Sequence, residues 1–202
     1  MNRSPFSEAQ ADMRRAYRDG APGVLISGLA WLAAGTVGVL RPGTAAVHTL
    51  LVAGMVIFPL SVALTKTLGH PGRHSSDNPL GRLAIEGTLW MLTGIVVAFG
   101  VHRLNPEWFF PTMLLVVGGR YLTFQTLYGI RAYWLLGGAL WAASFTLAAL
   151  HATPAATAFA GAVIEIAFAV VLFRHAVSRA DPSGGLLPSK GAPERTDSQE
   201  LP

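Results

Sequence analysis

Long apolar runs separated by short polar breaks dominate this chain. The first, Ala21 to Leu40, carries no charge and stops at Arg41-Pro42-Gly43. At about 1.5 Å per residue, roughly twenty apolar residues in a helix cross a hydrocarbon core of about 30 Å. The same rule picks out Thr44 to Leu68, Leu83 to His102, Phe109 to Tyr128, Ala132 to Leu150 and Ala155 to Phe173. The pattern therefore predicts an all-α polytopic membrane protein with six transmembrane helices. A cleaved signal peptide competes for the first run, because basic residues precede it. Its apolar stretch is too long for one and a second follows after a three-residue turn, so a retained helix is the expectation.

The polar breaks set the remaining organisation. Residues 1–20 form a polar N-terminal segment in which Ala9 to Arg18 has the spacing of a short amphipathic surface helix, with Met13 and Tyr17 one turn apart. Residues 21–174 hold the six-helix domain, in which only the break from His70 to Arg82 is long; it is rich in Pro, Gly, Ser, Asp and Asn. From residue 175 to 202 the apolar pattern gives way to Pro, Ser, Gly and alternating charge, which predicts a disordered tail.

An internal echo runs through the odd spans. Gly28-Leu-Ala-Trp31 resembles Gly87-Thr-Leu-Trp90 and Gly138-Ala-Leu-Trp141, and Leu50 to Gly54 resembles Leu114 to Gly118. The echo suggests three pseudo-repeated helical hairpins.

Charge fixes the expected orientation. Twelve of the fifteen Lys and Arg residues fall on one side of the six spans: Arg3, Arg14, Arg15, Arg18, Lys66, Arg73, Arg82, Arg131, Arg174, Arg179, Lys190 and Arg195. Arg41 and Arg103 fall on the other, and Arg120 lies within a span. The excess places both termini in the cytoplasm, with the protein in the inner (plasma) membrane. Composition agrees with a lipid partner: 51% of residues are hydrophobic, 13% are charged, and the mean hydropathy is +0.45. The basic residues stand singly or in pairs between apolar runs, which argues against a nucleic-acid surface. Cysteine is absent, excluding thiolate chemistry. Homo-oligomerisation suits a chain this small, although no residue pattern encodes it.

Several segments carry a resemblance: Phe58-Pro59-Leu60 with Lys66, Asn78-Pro79-Leu80-Gly81, Pro106-Glu107 with Pro111, and Gly119-Arg120-Tyr121-Leu122-x-Phe124-x-x-Leu127-Tyr128-Gly129. Together they resemble a family of uncharacterised bacterial six-span membrane proteins known as a domain of unknown function. The likeness covers most of residues 20 to 150 and implies a fold without an established activity. In that family a histidine more often stands at the position of Arg120 and a proline at that of Thr123.

The candidate chemistry lies where charge meets the bilayer. Arg120 lies eleven residues before Arg131, and Glu165 nine before Arg174, so both sit roughly 14–17 Å from the same boundary. An isolated charge at that depth costs several kcal/mol, and pairing is the usual remedy. The matching depth predicts that the fourth and sixth spans touch, with Arg120 and Glu165 as a hydrogen-bonded ion pair. Arg120, Tyr121, Phe124, Gln125, Tyr128 and Arg131 form a polar and aromatic stripe on one helix, while Ala158, Gly161, Ala162 and Ala169 give the other a small face around Glu165. Glu86, one turn inside Arg82, could pair with Arg82 or Arg131, or receive Arg120. The functional reading is a path for a small solute or proton along Tyr128, Gln125 and Tyr121 to Arg120 and Glu165; the competing reading is a charge pair that only locks helix packing in a scaffold or partner-binding subunit.

A second set lies at the opposite interface. His48, His102 and His151, with Glu107 nearby, could hold a zinc ion for hydrolysis, although no His-x-x-Glu-His spacing is present. Trp31, Trp90 and Trp141 fall mid-helix, where packing is the expected role, and Tyr128, Tyr133 and Trp134 fit an interfacial belt. Pro59 is expected to kink the second span. No Ser-His-Asp set, phosphate loop or haem motif is visible, so no catalytic residue and no cofactor is assigned.

Overall fold

The computed structural model describes residues 4–180 apart from residue 42, without the side chains of residues 179 and 180. Every regular element among them is helical: α1 (Pro5–Tyr17), α2 (Ala21–Leu40), α3 (Ala45–Thr67), α4 (Leu80–Leu104), α5 (Phe109–Tyr128), α6 (Ala132–Ala149) and α7 (Pro154–Ala180), with 3-10 turns at Arg18–Gly20 and Pro106–Trp108. The six expected spans correspond to α2 through α7. Among the described residues, five stretches are long and apolar enough to cross a membrane: 5–40, 45–67, 80–104, 132–149 and 154–178. The helix bearing Arg120 is not among them, because Arg120, Thr123 and Gln125 dilute its apolar content.

Capping accounts for the helix ends. Ser4 accepts a hydrogen bond from the Ser7 backbone N–H, and Pro5 occupies the first turn of α1, where its missing N–H costs nothing. Gly129, at φ +67°, closes α5 by donating its N–H to Gln125 O. Thr153 Oγ1 accepts from Ala156 N at the start of α7. That helix runs to Ala180, so residues 175–180, expected in a disordered tail, extend it; residues 181–202 lie outside the described part. Pro59 sits inside α3 without interrupting it.

Helix packing divides the bundle into a core and two flanks. α2 packs most extensively on α7 and α5 on α6, with α3 against the outside of α2 and α4 against the outside of α5. Small residues bring the core helices together. A side chain at Gly118 would run into Trp141 and the Gly137 carbonyl, so α5 and α6 meet backbone to backbone, and Trp141 Nε1 donates to Leu115 O at 2.9 Å. The flanking helices expose large apolar side chains, including Trp90 at 76%, Met55 at 72% and Val96 at 72%, as a lipid-facing surface does. The three tryptophans of the internal echo have different surroundings: Trp31 is buried against Phe110 and Gly161, whereas Trp90 and Trp141 are exposed.

α1 packs onto the bundle. Ala9, Met13 and Ala16 are buried; Gln10 Nε2 donates to Thr126 O at 2.8 Å, and an Arg14 guanidinium N–H donates to Tyr128 O. These bonds satisfy carbonyls left over at the end of α5 and set a cation at its negative pole. The 68–79 loop closes over the same helix: Asp12 Oδ2 accepts from Ser75 N and Asn78 Nδ2, Asn78 also donates to Ala9 O, and Tyr17 Oη lies 3.0 Å from His74 Nδ1. The surface helix read from the sequence is therefore present, but its apolar face covers protein. The chain turns from α1 into α2 through three consecutive left-handed residues, Arg18, Asp19 and Gly20. Tyr133 Oη holds this corner by donating to Asp19 O at 2.6 Å.

Candidate functional site

Glu165 lies at the junction of α2, α5 and α7. Its neighbour Ala162 and the residue one turn on, Ala169, are buried with it, and a side chain at Gly28 of α2 would press on Glu165 Cβ and Ile166. The small face of α7 thus admits a helix at close range, and that helix is chiefly α2. Glu165 has no exposed surface, and neither carboxylate oxygen has a hydrogen-bond partner. Ser27 and Trp31 of α2 and Tyr121 of α5 face the carboxylate without reaching hydrogen-bonding geometry.

Arg120 does not meet this carboxylate. Its Nη1 donates to Thr88 Oγ1 of α4 at 3.1 Å, and its guanidinium carbon lies 5.3 Å from the centre of the Phe124 ring. The predicted ion pair is therefore absent, although α5 and α7 do touch. The cause is azimuth. Successive helical residues are about 100° apart, so Tyr121 faces Glu165 while Arg120, one position earlier, turns towards α4.

The stripe on α5 is divided in the same way. Tyr121 and Tyr128 are buried, with rings stacked on Tyr133 of α6 at 6.1 and 5.5 Å, and Phe124 meets all three edge-on. Gln125 is half-buried, and Arg131 is exposed beyond the end of the helix. The lower end of the expected path, at Tyr128 and Gly129, is covered by Gln10 and Arg14 of α1. Glu86 is exposed on α4 with Leu89, Trp90 and Thr93 and forms no ion pair with Arg82 or Arg131; two residues before Thr88, it turns about 200° from the face that receives Arg120.

The three histidines are not gathered, and among the described residues no group of three metal-ligating side chains exists. His48 is exposed at the start of α3. His102 is buried, its ring edge-on to Phe109 and its Nδ1 3.3 Å from Pro106 O, which ties α4 to the following turn. His151 is the left-handed residue (φ +49°) that ends α6, with Ala152 N donating back to Leu147 O. Each has a local setting of its own.

Sequence reading missed Ser27 and Thr88 and gave Tyr133 another role; Trp31 packs in the core as expected and also faces the carboxylate. Ser27 and Trp31 are one turn apart on α2, a polar and aromatic pair among small residues, which is a weak but visible signal. Tyr133 has the position of an interfacial anchor and instead is a buried donor to the corner.

No curated protein and no solved structure matches the chain. A family model does match, over residues 6–175, and the chain belongs to that family, DUF7010, a family of unknown function.

Proposed function

We propose, for this member of a family without a known activity, that the chain is a six-span integral membrane protein whose Glu165 carboxyl is a proton or small-solute binding group at the bilayer centre. α5 is the sixth span in this reading, its polar residues turned onto α4 and α7, with both termini in the cytoplasm. One observation carries the functional part: a carboxyl group with no exposed surface and two unpartnered oxygens, faced by Ser27, Trp31 and Tyr121. A charged carboxylate in such a site costs several kcal/mol, so it persists there only with a proton or a bound partner. A cation, a proton or the amine of a small solute would complete it. Opening the route from the cytoplasmic end requires α1 to lift from Tyr128 and Gly129.

Reconstitution into liposomes containing a pH-sensitive dye tests the reading. The wild-type chain should dissipate an imposed pH gradient, or do so when a candidate amine is added, and Glu165→Gln should abolish the flux while leaving helicity unchanged. Equal flux from wild type and Glu165→Gln would sink it. A packing role in a non-catalytic scaffold or partner-binding subunit is the second reading, favoured by the closed contact of Glu165 with Gly28 and the small face of α7. In that case Arg120→Met with Glu165→Leu leaves a folded protein and an unchanged cellular phenotype.

A further inference from the structure

The bundle has a lateral seam. α3 and α4 are consecutive, yet α3 lies against α2 and α4 against α5, and the two barely touch each other. Thr88 is on the side of α4 that receives Arg120, and the residues one turn either way on that face, Ile85 and Leu92, are 63% and 51% exposed. Arg120 is half-buried beside them, its side chain turned towards Phe124 and hence towards the cytoplasmic half. A guanidinium has five N–H donors; one reaches Thr88, and the deep carboxylate of the chain faces elsewhere. Thr88 in turn donates its own hydroxyl to Ala84 O, so it is a positioning residue that fixes the guanidinium and has no donor left to offer.

We propose that Arg120, held by Thr88, is a lateral binding site for an amphipathic anion: a carboxylate or phosphate on a hydrocarbon chain, reaching the guanidinium from the lipid between α3 and α4. Charge complementarity selects the head group, because an uncompensated cation beside apolar side chains gains most from an oxyanion that can take two parallel N–H bonds. The exposed Ile85 and Leu92 select the apolar body. This site is separate from Glu165, which faces α2.

Binding of laurate, dodecyl phosphate, dodecanol and inorganic phosphate to the full chain in phosphatidylcholine nanodiscs tests the proposal. Laurate and dodecyl phosphate should bind, with dodecanol and inorganic phosphate at least about tenfold weaker, since each lacks one half of the recognition. Arg120→Gln should weaken laurate by about tenfold or more, the weight of a charge-assisted pair, while Arg131→Gln leaves it unchanged. Thr88→Val, which keeps the charge and loosens its position, should weaken laurate several-fold and leave dodecanol unaffected. Equal binding of laurate and dodecanol by the wild type overturns the proposal, as does undiminished laurate binding by a folded Arg120→Gln chain. Should Arg120→Gln fail to fold, the laurate-to-dodecanol ratio and Thr88→Val decide. Native mass spectrometry identifies the source: anionic phospholipid retained by the wild type and lost in Thr88→Val marks a membrane lipid, and its absence alongside laurate binding marks a free acid.

Discussion

Replacing Glu165 by leucine should make the protein more stable. The side chain is fully buried and neither oxygen has a partner, so the folded state carries the desolvation cost of a carboxyl group without a compensating hydrogen bond. That cost is about 1–3 kcal/mol for a neutral polar group and larger for a charged one. Leucine is similar in bulk, fits the same close approach of α2 at Gly28, and replaces two oxygens that have no hydrogen-bond partner. The expected gain is therefore about 1–3 kcal/mol, and at about 2–4 °C per kcal/mol for a chain of this size the midpoint should rise by roughly 2–12 °C. Glu165→Gln keeps an unpartnered polar group and should change stability little. Thermal unfolding in one detergent, followed by near-ultraviolet circular dichroism from the tyrosines and tryptophans, measures both variants. A fall of more than about 1 kcal/mol in Glu165→Leu would refute the reasoning, because it would mean that the carboxyl has a partner, such as bound water, whose loss is felt. A stabilised variant that has also lost proton flux would show the trade expected of a functional polar group.

Other expectations concern the framework. Gly20→Ala places a side chain at φ +79° and against the Tyr133 hydroxyl, so a loss of about 1–3 kcal/mol is expected in the same unfolding assay; Tyr133→Phe relieves the overlap but loses the bond to Asp19 O, making the double variant less than additive. Gly137→Val should separate α5 from α6 at the Gly118 carbonyl and cost about 1–3 kcal/mol by overpacking, read as a lower midpoint in the same unfolding assay. Asn78→Ala should release the 68–79 loop from α1, detected as faster hydrogen exchange in residues 5–17 with the rest of the bundle unchanged. The Asp12 carboxyl is pushed up by partial burial, but bonds from Asn78 and Ser75, with Arg15 and His74 near, hold it below its ordinary 3.8. With the folded-state value depressed, its contribution is complete above the ordinary value and is lost as pH falls through the folded one, so α1 should loosen in acid below about pH 4 and Asp12→Asn should remove that dependence.

Periodicity along the chain was enough to place α2 through α6 and the start of α7 within a few residues, because a long apolar run satisfies its backbone polar groups most readily as a helix; only the end of α7, where the apolar pattern stops before the helix does, was missed. The small face of α7 and the burial of Glu165 were legible for a similar reason: Ala158, Gly161, Ala162 and Ala169 recur at helical spacing around one charge. Relative level along the helices was legible as well, since rise per residue is fixed: Tyr121, next to Arg120 in the chain, faces Glu165. Partners were not. Depth leaves the rotation of each helix undetermined, and one residue of difference sent Arg120 to Thr88 and Tyr121 to the carboxylate. The histidines were grouped by shared level at one interface, which says nothing of lateral distance; burial against Phe109, a left-handed helix end and an exposed helix start keep them in separate settings.

The sequence by itself determined that this is an all-helical, lipid-compatible chain with a charged residue inside each of two of its apolar helices, Arg120 and Glu165, and few charges elsewhere in them. Those properties follow from local chemistry, the length of apolar runs and the cost of charge in hydrocarbon, and need no knowledge of neighbours. Tertiary structure alone decided that α2 clasps α7, that α1 seals the end of α5, and that Arg120 and Glu165 look in different directions. Side-chain pairing depends on helix rotation and on which small residues allow two backbones to close, and both are set jointly by residues distant in the chain.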